Sequence, residues 1–202
     1  MPDRTFISKE EKSAPGFKVA KDRYTLLLCA NATGDCFVKP MMVHRSQNPR
    51  ALKNRDKNSL PVLWRSNKKA WVTASTFMDW FNDCFIPRVE SYLKSENLAF
   101  KALLLLDNAP GHPETLLQLA HPNITVEFLP PNTTSILQPM DQGIIKTFKG
   151  YYTRRAFEHI LDAIDTGTNV DVRSAWKNFT IAHSIGIVKD SLDELKQSTL
   201  NN

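Results

Sequence analysis

Three observations in the sequence predict an α/β fold. An uninterrupted apolar run, Leu103-Leu104-Leu105-Leu106, closes on Asp107 and reads as a buried strand whose last residue emerges at the carboxyl edge of a sheet. Apolar runs over residues 24–30 and 36–44 flank Thr33-Gly34-Asp35 and read as a β-hairpin. Between these strands, Phe77, Trp80, Phe81, Phe85, Val89 and Leu93 recur at helical spacing, the stripe of a helix that buries one face.

Along the chain, residues 1–22 are polar, broken by Pro15-Gly16, and read as a connector. In the hairpin, Pro40 cannot donate to a ladder, so it belongs at an edge or irregularity of the second strand. Residues 45–69 form a basic segment carrying Pro49 and Pro61. Thr73 or Ser75 suits the N-cap of the next helix, and Pro87 must kink that helix or divide it. A strand over 100–106, a short helix over 114–120 and a strand over 123–129 follow, then an irregular passage over 130–134. Asp141 opens a helix of about five turns, with Ile144, Ile145, Phe148, Tyr152, Phe157, Ile160, Leu161 and Ile164 on its apolar side. Lys146, Lys149, Arg154 and Arg155 lie on the opposite side. Residues 165–168 break it, and 172–195 form a closing helical region with Trp176 and Phe179 inward. The chain thus divides into a connector (1–22), a domain (23–165) and a C-terminal helical segment (166–202).

A length of 202 residues with 42% hydrophobic content fits one domain with a substantial core. No stretch reaches the roughly 20 apolar residues of a membrane span, and the first residues lack the apolar core of a signal peptide, so an intracellular protein without a membrane partner is expected. Cys29, Cys36 and Cys84 lack the spacing of a disulfide framework or a zinc site. The net charge of +5 favours a polyanionic partner. Its concentration is more telling, because Arg45, Arg50, Lys53, Arg55, Lys57, Arg65, Lys68 and Lys69 face Asp56 alone. Trp64 and Trp71 accompany them and are able to stack on bases. A merely solubilising loop is the alternative.

Asp107 and Asp141 each place a carboxylate at the end of a structural element. Two such groups converging on Mg²⁺ or Mn²⁺ would supply the hard oxygen ligands of metal-dependent phosphodiester chemistry. Taken singly, an acid that ends a strand is as often a cap or hydrogen-bond acceptor.

At these residues the chain resembles the DDE-superfamily transposase domain of the pogo/Tigger group, which includes Tigger- and jerky-like transposon-derived proteins and centromere protein B. The motifs are Leu105-Leu106-Asp107-Asn108-Ala109-Pro110-Gly111-His112, Phe128-Leu129-Pro130-Pro131-Asn132-Thr133-Thr134-Ser135, Gln138-Pro139-Met140-Asp141-Gln142-Gly143 and Phe148-Lys149-Gly150-Tyr151-Tyr152. Asn48-Pro49-Arg50-Ala51-Leu52-Lys53 and Lys68-Lys69-Ala70-Trp71 are similar to the family as well. The resemblance implies an RNase H-like mixed sheet with flanking helices, in which Asp107 and Asp141 match the second and third catalytic acids.

In the family the first acid lies on the first, central strand, in a segment upstream of the one matching Met1. Asp3, Asp22 and Asp35 match no family motif, and Asp35 suits a hairpin turn. The expectation is therefore a domain lacking its central strand and catalytically inactive. It would bind DNA mainly through the phosphate backbone, with both basic groups as contacts and a nuclear location. Open strand edges would favour self-association. An active Mg²⁺-dependent cleaving core and a non-enzymatic partner-binding fragment are the alternatives. His112 reads as a turn residue before Pro113, and Asn108 as the residue that orients Asp107 or a metal-bound water.

Overall fold

The computed structural model describes residues 23–118, 120–167 and 170–200, so the expected connector over 1–22 lies outside the described residues. Strand β1 (Tyr24–Leu27) pairs antiparallel with β2 (Met41–His44), from Tyr24 opposite His44 to Leu27 opposite Met41, and a bridge joins Ala30 to Phe37. The hairpin is thus present, with Pro40 immediately before its second strand. Its turn is held by Asn31, whose side-chain oxygen accepts the N–H groups of Gly34 and Cys36. The Asp35 carboxylate accepts hydrogen bonds from the Thr33 hydroxyl, the Asn31 amide and the Tyr92 hydroxyl, and these hold its pKa down to about 2.

The basic segment is not wholly a loop. After a 3₁₀ turn at Arg50–Leu52, strand β3 (Leu63–Ser66) adds parallel to β2, with Leu63 opposite Met41. Val62 and Trp64 are buried there, and the indole of Trp64 donates to the Gln47 carbonyl at 3.1 Å. This strand escaped sequence reading because its apolar run is only three residues long and is enclosed by charge.

Helix α1 (Ala74–Trp80) starts at Thr73, which forms a capping box with Thr76. A π-turn over Phe81–Phe85 leads into α2 (Ile86–Ser95), with Pro87 in its first turn. Proline has no N–H to give to the carbonyl one turn back, and the wider turn ahead of it accommodates that loss without ending the helix. Phe77, Trp80, Phe81 and Phe85 are buried as expected.

Strand β4 (Ala102–Leu106), helix α3 (Glu114–Gln118) and strand β5 (Ile124–Phe128) form a β-α-β unit, with parallel pairing from Ala102 opposite Ile124 to Leu106 opposite Phe128. Then come α4 (Thr134–Leu137), a 3₁₀ turn at Pro139–Asp141 and the long helix α5 (Ile144–Thr166). The C-terminal region is α6 (Val172–Asn178), α7 (Ile181–Asp193) and α8 (Gln197–Leu200). Trp176, expected inward, is 44% exposed on α6 and meets Phe157 of α5 edge to face.

The result is a mixed α/β architecture with apolar cores on both faces of the β1–β2–β3 sheet. Alternate side chains of β2 point to opposite faces. Met41 and Val43 join Phe77, Trp80, Phe81 and Phe85, with Leu104, Leu106, Ile124 and Val126 from the second sheet. Met42 instead joins Trp64, Ile144 and Phe148 of α5, and Ile185 and Val188 of α7. Among the described residues the strands form two sheets, β1–β2–β3 and β4–β5, with no ladder between them.

Candidate metal and nucleic-acid site

Burial of Leu104 and Leu106 fixes the rotation of β4, so Asp107 is the first residue past the strand, at its carboxyl end. The loop it opens is built around that carboxylate. Asp107 Oδ1 accepts the Ala109 N–H at 3.4 Å and lies 3.0 Å from His112 Nδ1, which is also 2.9 Å from the Asp107 carbonyl oxygen. The His112 ring rests against Phe77, centroids 4.7 Å apart. Gly111 lets the loop lie close against Val72, since a Cβ there would come within 2.8 Å of the Val72 carbonyl oxygen. His112 is therefore a packed partner of Asp107 as well as a turn residue. Asn108 does not orient the carboxylate; its amide donates to the Leu129 carbonyl at 2.8 Å and ties the loop to the end of β5.

Asp141 does not open the long helix. It ends the 3₁₀ turn, its N–H bonded to the Gln138 carbonyl, and the chain enters α5 only after Gly143 at φ +115°. That conformation is open to glycine and strained for other residues. Asp141 is exposed, whereas the Asp107 side chain is 23% exposed. Both line one cavity of about 690 Å³ with His112, Lys149, Phe148, Tyr152 and the residues of β1.

Among the described residues no group of three or more His, Cys, Asp or Glu side chains is placed to hold a metal ion. The donor chemistry of the pair nevertheless fits Mg²⁺, which takes hard oxygens, keeps several waters and is commonly held by one or two carboxylates. The open cavity leaves room for those waters.

The basic residues divide into engaged and available. Arg65 is paired with Asp79 at 2.7 Å and Asp83 at 3.0 Å. Arg154 and Arg155 of α5 both bind Glu194, just past α7, and Arg154 holds that carboxyl below its usual range. Lys57 donates to Asn48. Arg45, Arg50, Lys53, Arg55, Lys68, Lys69, Lys146 and Lys149 are solvent-exposed. Trp64, expected as a stacking surface, is buried; Trp71 is 54% exposed with Lys69 Nζ 5.5 Å from its ring centre. Sequence reasoning missed the engaged partners Asp79, Asp83 and Glu194, because pairing across elements leaves no mark on local spacing.

The family profile described as DDE superfamily endonuclease matches residues 21–202. Tigger transposable element-derived protein 7 of Homo sapiens is 32% identical over 212 residues, covering 100% of this chain and 38% of that protein. The Jerky protein homolog of Homo sapiens is 40% identical over 141 residues, 69% of this chain and 25% of that protein. CENP-B homolog protein 2 of Schizosaccharomyces pombe is 30% identical over 179 residues, 84% of this chain and 32% of that protein. The chain thus spans less than two fifths of the length of these relatives. No solved structure matches it significantly.

Proposed function

This chain belongs to the DDE superfamily endonucleases, and from that premise we propose that it is a transposase-derived domain that binds the DNA backbone in the nucleus and does not itself cleave DNA. The observation that carries this reading is the shared cavity of Asp107, His112, Asp141 and Lys149, set at the carboxyl end of β4 where α/β folds keep their chemistry. Asp107 and Asp141 are the residues that would hold Mg²⁺ or Mn²⁺, and a metal there would supply Lewis-acid stabilisation of a phosphate oxygen. Lys149 brings positive charge to the same cavity, and Tyr24, Leu26 and Phe148 form an apolar wall.

The proposed inactivity rests on the resemblance, in which Asp107 and Asp141 match two of three catalytic acids; of the other acids weighed, Asp35 is held in its hairpin turn by Thr33, Asn31 and Tyr92. An RNase H-like arrangement with an absent central strand is part of the proposal. It is supported by the mixed sheet, by helices on both faces and by β1 and β4 each having one strand neighbour among the described residues. DNA contact falls to the exposed members of the basic set and would be mostly to phosphate, without direct base readout.

The test is a thermal melt of the chain with and without Mn²⁺, repeated for Asp107→Ala, alongside a plasmid-nicking assay. A metal-dependent upward shift that Asp107→Ala removes, with no nicking, is the expected result, because a ligand bound only by the folded state stabilises it. Nicking that Asp107→Ala abolishes would replace this reading by that of an active core. A melt indifferent to metal would remove the metal site.

A further inference from the structure

We infer that the exposed apolar ridge shared by α5 and α6 is a self-complementary surface on which a second copy of this chain docks about a two-fold axis. The inference depends on neither metal nor DNA, and it concerns helix faces, not strand edges. Its starting point is the apolar positions of the two helices that the core leaves uncovered. Ala156 and Ile160 of α5 and Ala175 of α6 are buried, whereas Phe157, Leu161, Val172 and Trp176 are between 44% and 58% exposed. These four are contiguous. Phe157 meets Trp176 edge to face with ring centres 5.9 Å apart, and Leu161 and Val172 each stand one helical turn from a member of that pair. Exposed apolar side chains scattered singly are ordinary, but a contiguous patch marks an interaction surface. The Trp176 ring also rests against Phe179, centroids 6.2 Å apart, so it is held in place before any partner arrives.

Charge identifies the occupant. From Phe157 to the end of α5 every Lys, Arg, Asp or Glu is acidic, namely Glu158, Asp162 and Asp165, and all three are exposed. Within α6 the charged residues are Arg173 and Lys177, both exposed and both basic, and the acid before them, Asp171, is engaged as the helix cap by the Ser174 N–H at 2.9 Å. Glu158 pairs with Arg154 at 3.6 Å, but among the described residues no ion pair engages Asp162, Asp165, Arg173 or Lys177. Glu158 and Asp162 each follow an apolar ridge residue by one position, as do Arg173 and Lys177, a turn of about 100° around the helix that sets the charges beside the apolar stripe. The ridge thus has an acidic edge on its α5 half and a basic edge on its α6 half. A two-fold that lays α5 of one copy against α6 of the other brings acid to base twice, once in each direction, with the apolar stripes between. A nucleic acid would instead meet the acidic edge with repulsion.

The size of the surface sets the strength of the contact. Half-exposed Phe157 and Trp176 together offer about 200 Å², given the area an aromatic side chain buries, and Leu161 and Val172 add about 100 Å². Two copies then cover about 600 Å² of apolar surface, which at the roughly 60% apolar share of an interface corresponds to about 1,000 Å² in all. That is the lower end for a specific contact, so the dimer is a weak one, with dissociation in the micromolar range. Trp176, whose spacing predicts an inward side chain, finds its remaining apolar cover in the second copy.

The test is sedimentation velocity of the full chain, free of metal and nucleic acid, at concentrations spanning about 1–200 μM. Two double variants accompany it: Asp162→Lys with Asp165→Lys turns the acidic edge basic, and Arg173→Glu with Lys177→Glu turns the basic edge acidic. The unchanged chain should dimerise with rising concentration, and each double variant alone should self-associate about tenfold less tightly, because like charges now face each other. An equal mixture of the two variants should form a mixed dimer about as tight as that of the unchanged chain, since opposite edges meet again in both directions. Recovery in the mixture arises only between chains, which separates docking from any effect on folding. Leu161→Glu, in the apolar middle of the ridge, should leave the chain monomeric over the same range. A monomeric unchanged chain, association that Leu161→Glu leaves intact, or a mixture without mixed dimers would overturn the proposal. Failure of DNA binding or of the metal response has no bearing on this readout, so the two readings fail separately.

Discussion

One ring nitrogen of His112 touches both the carboxylate of Asp107, at 3.0 Å, and its backbone oxygen, at 2.9 Å. A group that binds main chain and side chain of the same residue fixes the rotamer of that side chain. With the ring also packed on Phe77, His112→Ala should cost about 2 kcal/mol through the lost hydrogen bonds and the space left behind. Denaturant melts of the two proteins measure this. His112→Asn, which can place an amide N–H near Nδ1, should recover part of the loss.

The chain reverses into α5 at Gly143, whose φ of +115° suits glycine, and nothing lies within 4 Å of the position a Cβ would take. Gly143→Ala should therefore cost about 1–2 kcal/mol of backbone strain without a clash. Gly111→Ala should cost more, since its Cβ meets the rigid Val72 backbone at 2.8 Å. Equal losses on chemical denaturation would refute the distinction.

Trp64 lies in the basic segment, yet it is 5% exposed and packs among Met42, Val62 and Phe148. Trp64→Ala should destabilise the fold by about 3–5 kcal/mol, as truncation of a buried aromatic does. Trp71→Ala, at an exposed position, should change stability little. A neutral Trp64→Ala in equilibrium unfolding would place β3 outside the core.

His183 caps its own helix: its Nδ1 accepts the Thr180 N–H at 3.1 Å, which requires that nitrogen to be unprotonated. Burial lowers its pKa, helped by His159 and Arg55. The unfolded chain therefore binds the proton more readily, and the stabilisation is complete above the unfolded value of 6.5 and lost as pH falls through the lower folded one. Melting temperature should decline in that interval, and His183→Gln should flatten the decline.

Exposed and engaged cations should differ in their effect on DNA binding. Removing Lys68 and Lys69 together should reduce the salt slope of binding to a non-specific duplex by about 2, if each neutralises one phosphate. Arg154 and Arg155 are held by Glu194, so their removal should lower the slope less, and Glu194→Gln should raise affinity by releasing them. Fluorescence anisotropy across a salt series reads all three.

Hairpin, helix stripe, β-α-β unit and long helix were legible in the sequence because each is specified by neighbours within a few residues: Asn31 and Gly34 for the turn, Thr73 for the cap, Leu104 and Leu106 for the strand. The same locality made Asp107 recognisable as the first residue past a buried run. Strand β3, the pairing of Asp107 with His112, the engagement of Arg65, Arg154 and Arg155, and the shared cavity of Asp107 and Asp141 were decided only in the tertiary structure. Each depends on groups brought together by burial of two apolar faces of one sheet, and that energy follows area removed from water, not spacing along the chain. Charge alone could not tell a free arginine from a paired one, because a long-range partner leaves no periodicity to read.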